Sequence, residues 1–276
     1  MTKTDKILYI LFFLLTFFGI SWVYPQTIAQ LEATDYFVWN NDYLSMKIAE
    51  LPGITALLSD YLLQFFRWQG VGMAIEAVIL TTTALLLSDI PHRMGHDTCR
   101  TLALLLPLAL LFLALFQLEF YLQAFFMVLS IWLFFVIRQN VLRLAYLFFF
   151  CLSALFLMPW TMAVMGLLTM MAGWVLQDRK VILPCLCLLA GGAWLYMGVR
   201  LLNRFIGFIP FDHRYLYAPV EGQNTWIYLA VFAICLALLF VPTSRQHKWL
   251  TYSLQVFILI ACGTAFYLIC TNPLFL

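Results

Sequence analysis

The chain has 276 residues, of which 64% are hydrophobic, 17% aromatic and only 10% charged. A soluble domain usually carries about 25% charged residues and about 45–50% apolar ones, so a water-soluble globule is excluded. Disorder is excluded too, because it needs polarity and charge. The net charge is +2 and no basic run exceeds two residues, which argues against nucleic acid as a partner. What remains is a polytopic membrane protein whose first partner is the lipid bilayer.

A membrane helix needs about 20 mainly apolar residues. The first span runs from Ile7 to Tyr24 behind Lys3 and Lys6, and reads as an uncleaved anchor because no small-residue cleavage site follows. The others fall at Val71–Ser88, Thr101–Phe116, Phe120–Ile137, Leu144–Leu157, Thr161–Leu176, Val181–Val199, Trp226–Val241 and Leu250–Cys270. That makes nine, within a range of eight to ten, because 101–137 and 144–176 are long for one span and short for two. The reading is one all-α transmembrane domain over residues 1–276.

Charge sets the direction. With the N-terminus inside and the C-terminus outside, ten basic residues fall inside and five outside, as the positive-inside rule requires. Acids gather outside, among them Glu32, Asp35, Asp42, Glu50, Asp60, Glu119, Asp212 and Glu221. Six of the seven cysteines lie in apolar runs and read as small buried hydrophobes.

Two outer loops carry most of the polar chemistry. In the first, residues 25–70, Ile54, Leu57, Leu58, Tyr61, Leu62, Phe65 and Phe66 repeat at helical spacing. They predict an amphipathic helix lying in the membrane interface, with Asp60, Gln64 and Arg67 on its polar side. A shorter helix over Tyr43–Leu51 precedes it, capped by Asn41 or Asp42, and Pro52-Gly53 separates the two. The second loop, residues 200–225, holds Arg200, Arg204, Asp212, His213 and Arg214.

Several residues have both a chemical and a plain reading. Asp35 and Asp42 flank an aromatic stretch, where a carboxylate can serve as general base or divalent-metal ligand. The plain reading is a loop acid and a helix cap. Glu119 is either a second carboxylate of that cleft or a hairpin-tip residue. Glu76 lies about 7.5 Å inside its span, where a charged group usually faces a cavity or a partner. Arg200 and Arg204 share a helix face and can grip a phosphate, with His213 and Arg214 beside them, or simply snorkel. The loop containing His92, His96, Asp97 and Cys99 has no recognised metal-ligand spacing and reads as a short polar connection.

The segment from Asp42-Tyr43-Leu44 through Pro52-Gly53, Tyr61-Leu62 and Gln64-Phe65-Phe66 resembles an uncharacterised family of bacterial polytopic inner-membrane proteins. In that family an Asp-Tyr-Phe-Leu-like stretch leads to Pro-Gly-Gly and then an amphipathic helix. This chain has a single Gly after Pro52, and its later spans match in hydropathy only. Family members often continue into an extracytoplasmic soluble part, so a shorter relative or an N-terminal portion is expected. The layout is also similar to that of C-type membrane glycosyltransferases, which set outer-loop acids against a polyprenyl-phosphate-linked sugar. That likeness implies Asp35 or Asp42 as the first acid, Glu119 as the second, and Arg200, Arg204, His213 or Arg214 at the phosphate. A glycosyltransferase-like enzyme, a non-catalytic envelope scaffold and a transporter all stay open, and a cofactor beyond a divalent metal is not indicated.

The topology makes a direct prediction. An impermeant thiol reagent should reach Cys99 from the cytoplasmic side and Asn41→Cys from the outer side. Labelling of Asn41→Cys from the cytoplasm alone would reverse the orientation.

Overall fold

The computed structural model describes residues 3–23, 37–49, 52–94, 103–113, 118–158 and 160–177. The seventh to ninth predicted spans and the 200–225 loop lie outside them. The described residues form helices and contain no strand. In chain order the helices are α1 (Lys3–Val23), α2 (Asn41–Ala49), α3 (Gly53–Leu63), α4 (Gln69–Arg93), α5 (Leu105–Leu113), α6 (Leu118–Val136), α7 (Asn140–Leu157) and α8 (Trp160–Gln177). A 3-10 turn, Gln64–Arg67, joins α3 toward α4.

Two helices are long and apolar enough to cross a membrane, at Gly70–Arg93 and Leu118–Val136. The apolar stretches Asn140–Ala154 and Met162–Gln177 are shorter. Of the predicted nine spans the coarser statement holds: the described residues are helical, and two of their helices are long and apolar enough to cross.

The centre of the bundle is the contact between α4 and α6, the most extensive between any two described helices. On α4 and its C-cap, Glu76, Leu80, Thr83, Leu87, Ile90 and Met94 recur at alternate steps of four and three residues, and all are buried. That is the stripe a helix buries along its length. Helix α6 is buried almost all round, with Tyr121, Met127, Ile131 and Phe134 each at most 1% exposed. Around this pair, α1 lies on α4, while α3, α7 and α8 lie on α6.

A polar clamp fixes how α4 and α6 align. The Trp132 indole N–H donates to Asp89 Oδ2 at 2.8 Å. Arg93 donates to the same oxygen at 2.5 Å, and its guanidinium stands 4.9 Å from the Trp132 ring centre. Both Asp89 and Trp132 sit four residues before the end of their helices. An antiparallel pair meeting there would overlap over about two and a half turns only, whereas the contact is extensive and the ends of both helices, Met94 and Phe135, come together at Gly173, so the two helices run parallel. The Gln177 amide donates to the Arg93 carbonyl at 3.5 Å, which brings the end of α8 to the same level.

Helix α8 approaches α6 through glycine. A Cβ at Gly173 would collide with the Phe135 ring, and one at Gly166 would come within 3.2 Å of Met127 Cγ. Phe134 packs edge-on against Trp174 at 5.6 Å. The pairs 127 with 166 and 135 with 173 ascend together, so α8 also runs parallel to α6. Helix α7 returns between them, and its Tyr146 hydroxyl donates to the Ser130 carbonyl at 3.1 Å.

Apolar side chains also cover much of the outside. Ile7, Ile10, Leu14 and Phe18 on α1, and Phe148, Phe149 and Leu152 on α7, are exposed. Soluble monomers rarely expose so continuous an apolar surface.

Gly173→Ala should therefore destabilise the purified protein by about 1–3 kcal/mol through overpacking. Gly70→Ala, where nothing lies within 4 Å of the new Cβ, should instead gain about 0.5–1 kcal/mol from helix propensity. Thermal unfolding of the two variants should shift in opposite directions.

Candidate functional site

The sequence bends sharply at Pro52-Gly53, and this bend builds one end of the bundle. Pro52 cannot continue a helix and stands just ahead of α3. Its carbonyl accepts from the Thr55 hydroxyl at 2.9 Å. A Cβ at Gly53 would strike the Lys47 carbonyl and the Ile48 backbone, so glycine allows α2 to fold back against α3. Helix α2 is capped by Asn40, one residue earlier than predicted: its Oδ1 accepts the Asp42 N–H at 3.3 Å and its carbonyl accepts the Leu44 N–H at 3.0 Å.

Tyr43 and Lys47 are four apart on α2, so both reach one point on α3. The Tyr43 hydroxyl donates to Asp60 Oδ2 at 2.6 Å, and Lys47 Nζ lies 2.9 Å from the same oxygen. Asp60 is 6% exposed. This corrects the predicted helix. Its polar side does not face solvent as a whole: Thr55, Ser59 and Asp60 are buried, whereas Gln64 and Arg67 are exposed. Ile54 and Tyr61 of the apolar repeat are exposed instead, while Leu58 and Leu62 pack on the core. The reason is the clasp, since a carboxyl with a cation and a hydroxyl on it is buried at lower cost than one left alone.

The outward side of this hairpin carries a run of rings. Phe37 meets Trp39 at 5.2 Å, Tyr43 at 6.0 Å and Tyr61 at 5.4 Å. Tyr61 meets Phe65 at 5.5 Å, and Phe65 meets Trp68 at 6.2 Å. Most of these contacts are edge-to-face, the arrangement favoured by the ring quadrupoles. Trp39 is 80% and Trp68 61% exposed. Asp42 stands exposed in the first turn of α2, beside this run.

Behind the hairpin lies a buried polar level. The Asp89–Trp132 bond sets an offset of 43 residues between the parallel helices α4 and α6. That offset puts Glu76 level with Glu119, whose Oε1 accepts from Gln123 Nε2 at 2.9 Å. Glu76 and Gln123 are each 2% exposed. Glu76 Oε2 and Gln123 Oε1 have no hydrogen-bond partner among the described residues.

Of the predicted site residues, Glu76 and Glu119 come to one level of the bundle. Asp42 is at the surface of the neighbouring hairpin and makes no hydrogen bond to either among the described residues. Asp35, Arg200, Arg204, His213 and Arg214 lie outside the described residues. No group of three His, Cys, Asp or Glu side chains close enough to hold a metal ion occurs among the described residues. Tyr43, Lys47 and Gln123 were not predicted. Their signal was a spacing of four from a partner: Tyr43 to Lys47, and Glu119 to Gln123.

Comparison with known families matches residues 2–272 to a family of unknown function, DUF6057. The chain belongs to this family. The match takes in almost the entire sequence. No curated protein and no solved structure matches the chain.

The clasp is open to test. Lys47→Met leaves the Asp60 carboxylate buried beside Tyr43 alone, and breaking a buried pair costs about 3–5 kcal/mol. Protease cleavage between residues 40 and 67 should appear in the variant while α4 and α6 stay protected. Double replacement with Asp60→Leu should recover much of the loss.

Proposed function

We propose that this DUF6057 member is a multi-pass protein of a bacterial inner membrane that acts on a lipid-phosphate-linked donor at the outer face. The reaction is transfer of a sugar or similar group, as the layout shared with C-type membrane glycosyltransferases suggests. The observation that carries this reading is Asp42: an exposed carboxylate set beside an exposed aromatic run, at the bundle end where Glu119 and Glu76 also lie. Aromatic side chains favour the water–lipid boundary, where the head of an amphiphilic donor would be presented. A carboxylate there is placed to take a proton from an acceptor hydroxyl.

Other features support the membrane reading. The common direction of α4, α6 and α8, with α7 reversed, is what alternating crossings require. Arg93 and Arg138 are exposed near the Asp89 end with Arg143 beside them, while the other end holds the acids Asp42, Asp60, Glu76 and Glu119 against two cations, Lys47 and Arg67. This is the charge asymmetry of a positive-inside protein with the Glu76 end outermost. In the full proposal Asp42 is the base, with Asp35 and Glu119 as companion carboxylates. Arg200, Arg204, His213 and Arg214 stabilise the leaving phosphate.

One observation favours a second reading, a non-catalytic envelope scaffold. Asp60 is engaged by Lys47 and Tyr43, and Glu119 by Gln123, as acids with purely structural duties would be.

The purified protein in lipid nanodiscs, given polyprenyl-phosphate-linked sugars, separates the two. Enzyme predicts donor turnover that falls about 10²–10⁴-fold in Asp42→Asn, the range of a lost general base. Its unfolding temperature should barely change, because asparagine keeps most of the first-turn preference. Turnover unchanged in Asp42→Asn and Glu119→Gln, or absent from the wild type with every donor, leaves the scaffold.

A further inference from the structure

From Phe120 to Gln177 the sequence contains no acidic residue, and its cations there are Arg138 and Arg143. Both stand where α6 turns into α7, at the Asp89 end of the bundle. A charge beside apolar helices is costly without a counter-charge. Neither arginine forms an ion pair among the described residues. Asp89 is taken by Arg93 and Trp132, and Asp5 begins α1, which packs on α4.

Arg143 is the better fixed of the two. Its Nε donates to the Ile137 carbonyl at 2.6 Å, and its guanidinium stands 5.5 Å from the Phe134 ring centre. That bond satisfies a carbonyl at the end of α6, as basic side chains near a helix C-terminus do. It uses one guanidinium donor of five. The two terminal nitrogens form no hydrogen bond among the described residues, yet the Ile137 bond already holds them in place. Arg138 follows the accepting carbonyl by one residue and is exposed. Capping accounts for Nε and leaves the terminal nitrogens and Arg138 to be explained.

The rim of this point is apolar. Leu133 and Val136 on α6 are exposed, as are Val141 (77%) and Leu142 on α7. A free phosphate ion gains nothing from such a rim, whereas a phospholipid presents a phosphate and acyl chains together.

We propose that Arg138 and Arg143 bind the phosphate of an anionic phospholipid of the inner leaflet, with its acyl chains on the exposed apolar residues beside them. A guanidinium fork matches two phosphate oxygens. Basic residues at the cytoplasmic face attract anionic lipid. The inference rests on the membrane reading above and on no catalytic role for Asp42.

Native mass spectrometry of the delipidated full chain in detergent tests the site. The probes are phosphatidylglycerol and phosphatidylcholine with identical acyl chains. Two arginines at about fivefold each give phosphatidylglycerol an advantage of about 25-fold. Arg143→Gln should lose about fivefold of it, but also frees the Ile137 carbonyl. Arg138→Gln breaks no contact among the described residues and should lose as much with folding intact. Glycerophosphoglycerol, the same headgroup without chains, should not displace the lipid. A photoreactive diazirine in the headgroup should cross-link between residues 133 and 145.

Equal affinity for the two lipids would overturn the site, as would an advantage that survives both substitutions. Displacement by glycerophosphoglycerol would make it a site for a free phosphate ester instead. A dimer that takes up no lipid would put a second copy of the chain on this face. Alkaline carbonate separates these failures from that of the membrane reading: a chain it washes from membranes sinks both, and an integral chain without lipid preference sinks this site alone.

Discussion

The alignment of α4 with α6 governs the rest of the molecule. Two long apolar helices can slide on one another at little cost, because one leucine replaces another at each turn. The Asp89–Trp132 bond, tightened by Arg93 over the indole ring, removes that freedom. A charge-assisted bond is worth roughly 1.5–3 kcal/mol where it replaces water poorly, and it is directional where apolar packing is not. Once residue 89 is level with 132, everything along the pair is fixed. Glu76 then comes to the height of Glu119, and Met94 reaches Gly173 of α8.

The α2–α3 hairpin departs from ordinary amphipathic logic. In water, Ile54, Leu57 and Tyr61 would turn inward and Asp60 outward. Here Asp60 is the buried member, and Ile54 and Tyr61 are exposed with Trp39 and Trp68. The carboxylate turns inward because its own lysine and tyrosine meet it there. Periodicity therefore found the helix but assigned its polar side incompletely, because a spacing of 3.6 says that two faces differ and not which faces inward.

Much of the fold was readable in the residues. Apolar runs located α4, α6, α7 and α8 to within a few positions, and Pro52-Gly53 located the bend between α2 and α3. Family membership over residues 2–272 agrees with the resemblance to an uncharacterised family, without extending to its motif or its source. The site was less readable. Glu76 drew attention because a charge inside an apolar run is rare, yet Gln123 did not, since a neutral amide disturbs hydropathy little. Asp89 carries no sequence signal of its role because its partner, Trp132, is 43 positions away. Contacts of that kind depend on which helices meet, and hydropathy holds no information on neighbours.

The carboxyls of this end differ in what the protein has done for each, and that difference orders the functional argument. Asp60 has a cation and a hydroxyl, so its burial is compensated and needs no ligand to explain it. Glu119 has the Gln123 amide and partial access to the surface. Asp42 has a helix start and open surroundings. Glu76 alone among these acids is buried at 2% exposure with a carboxyl oxygen left unpaired among the described residues. It stands at the head of the stripe that continues through Leu80 and Leu87, where burial without a partner costs stability.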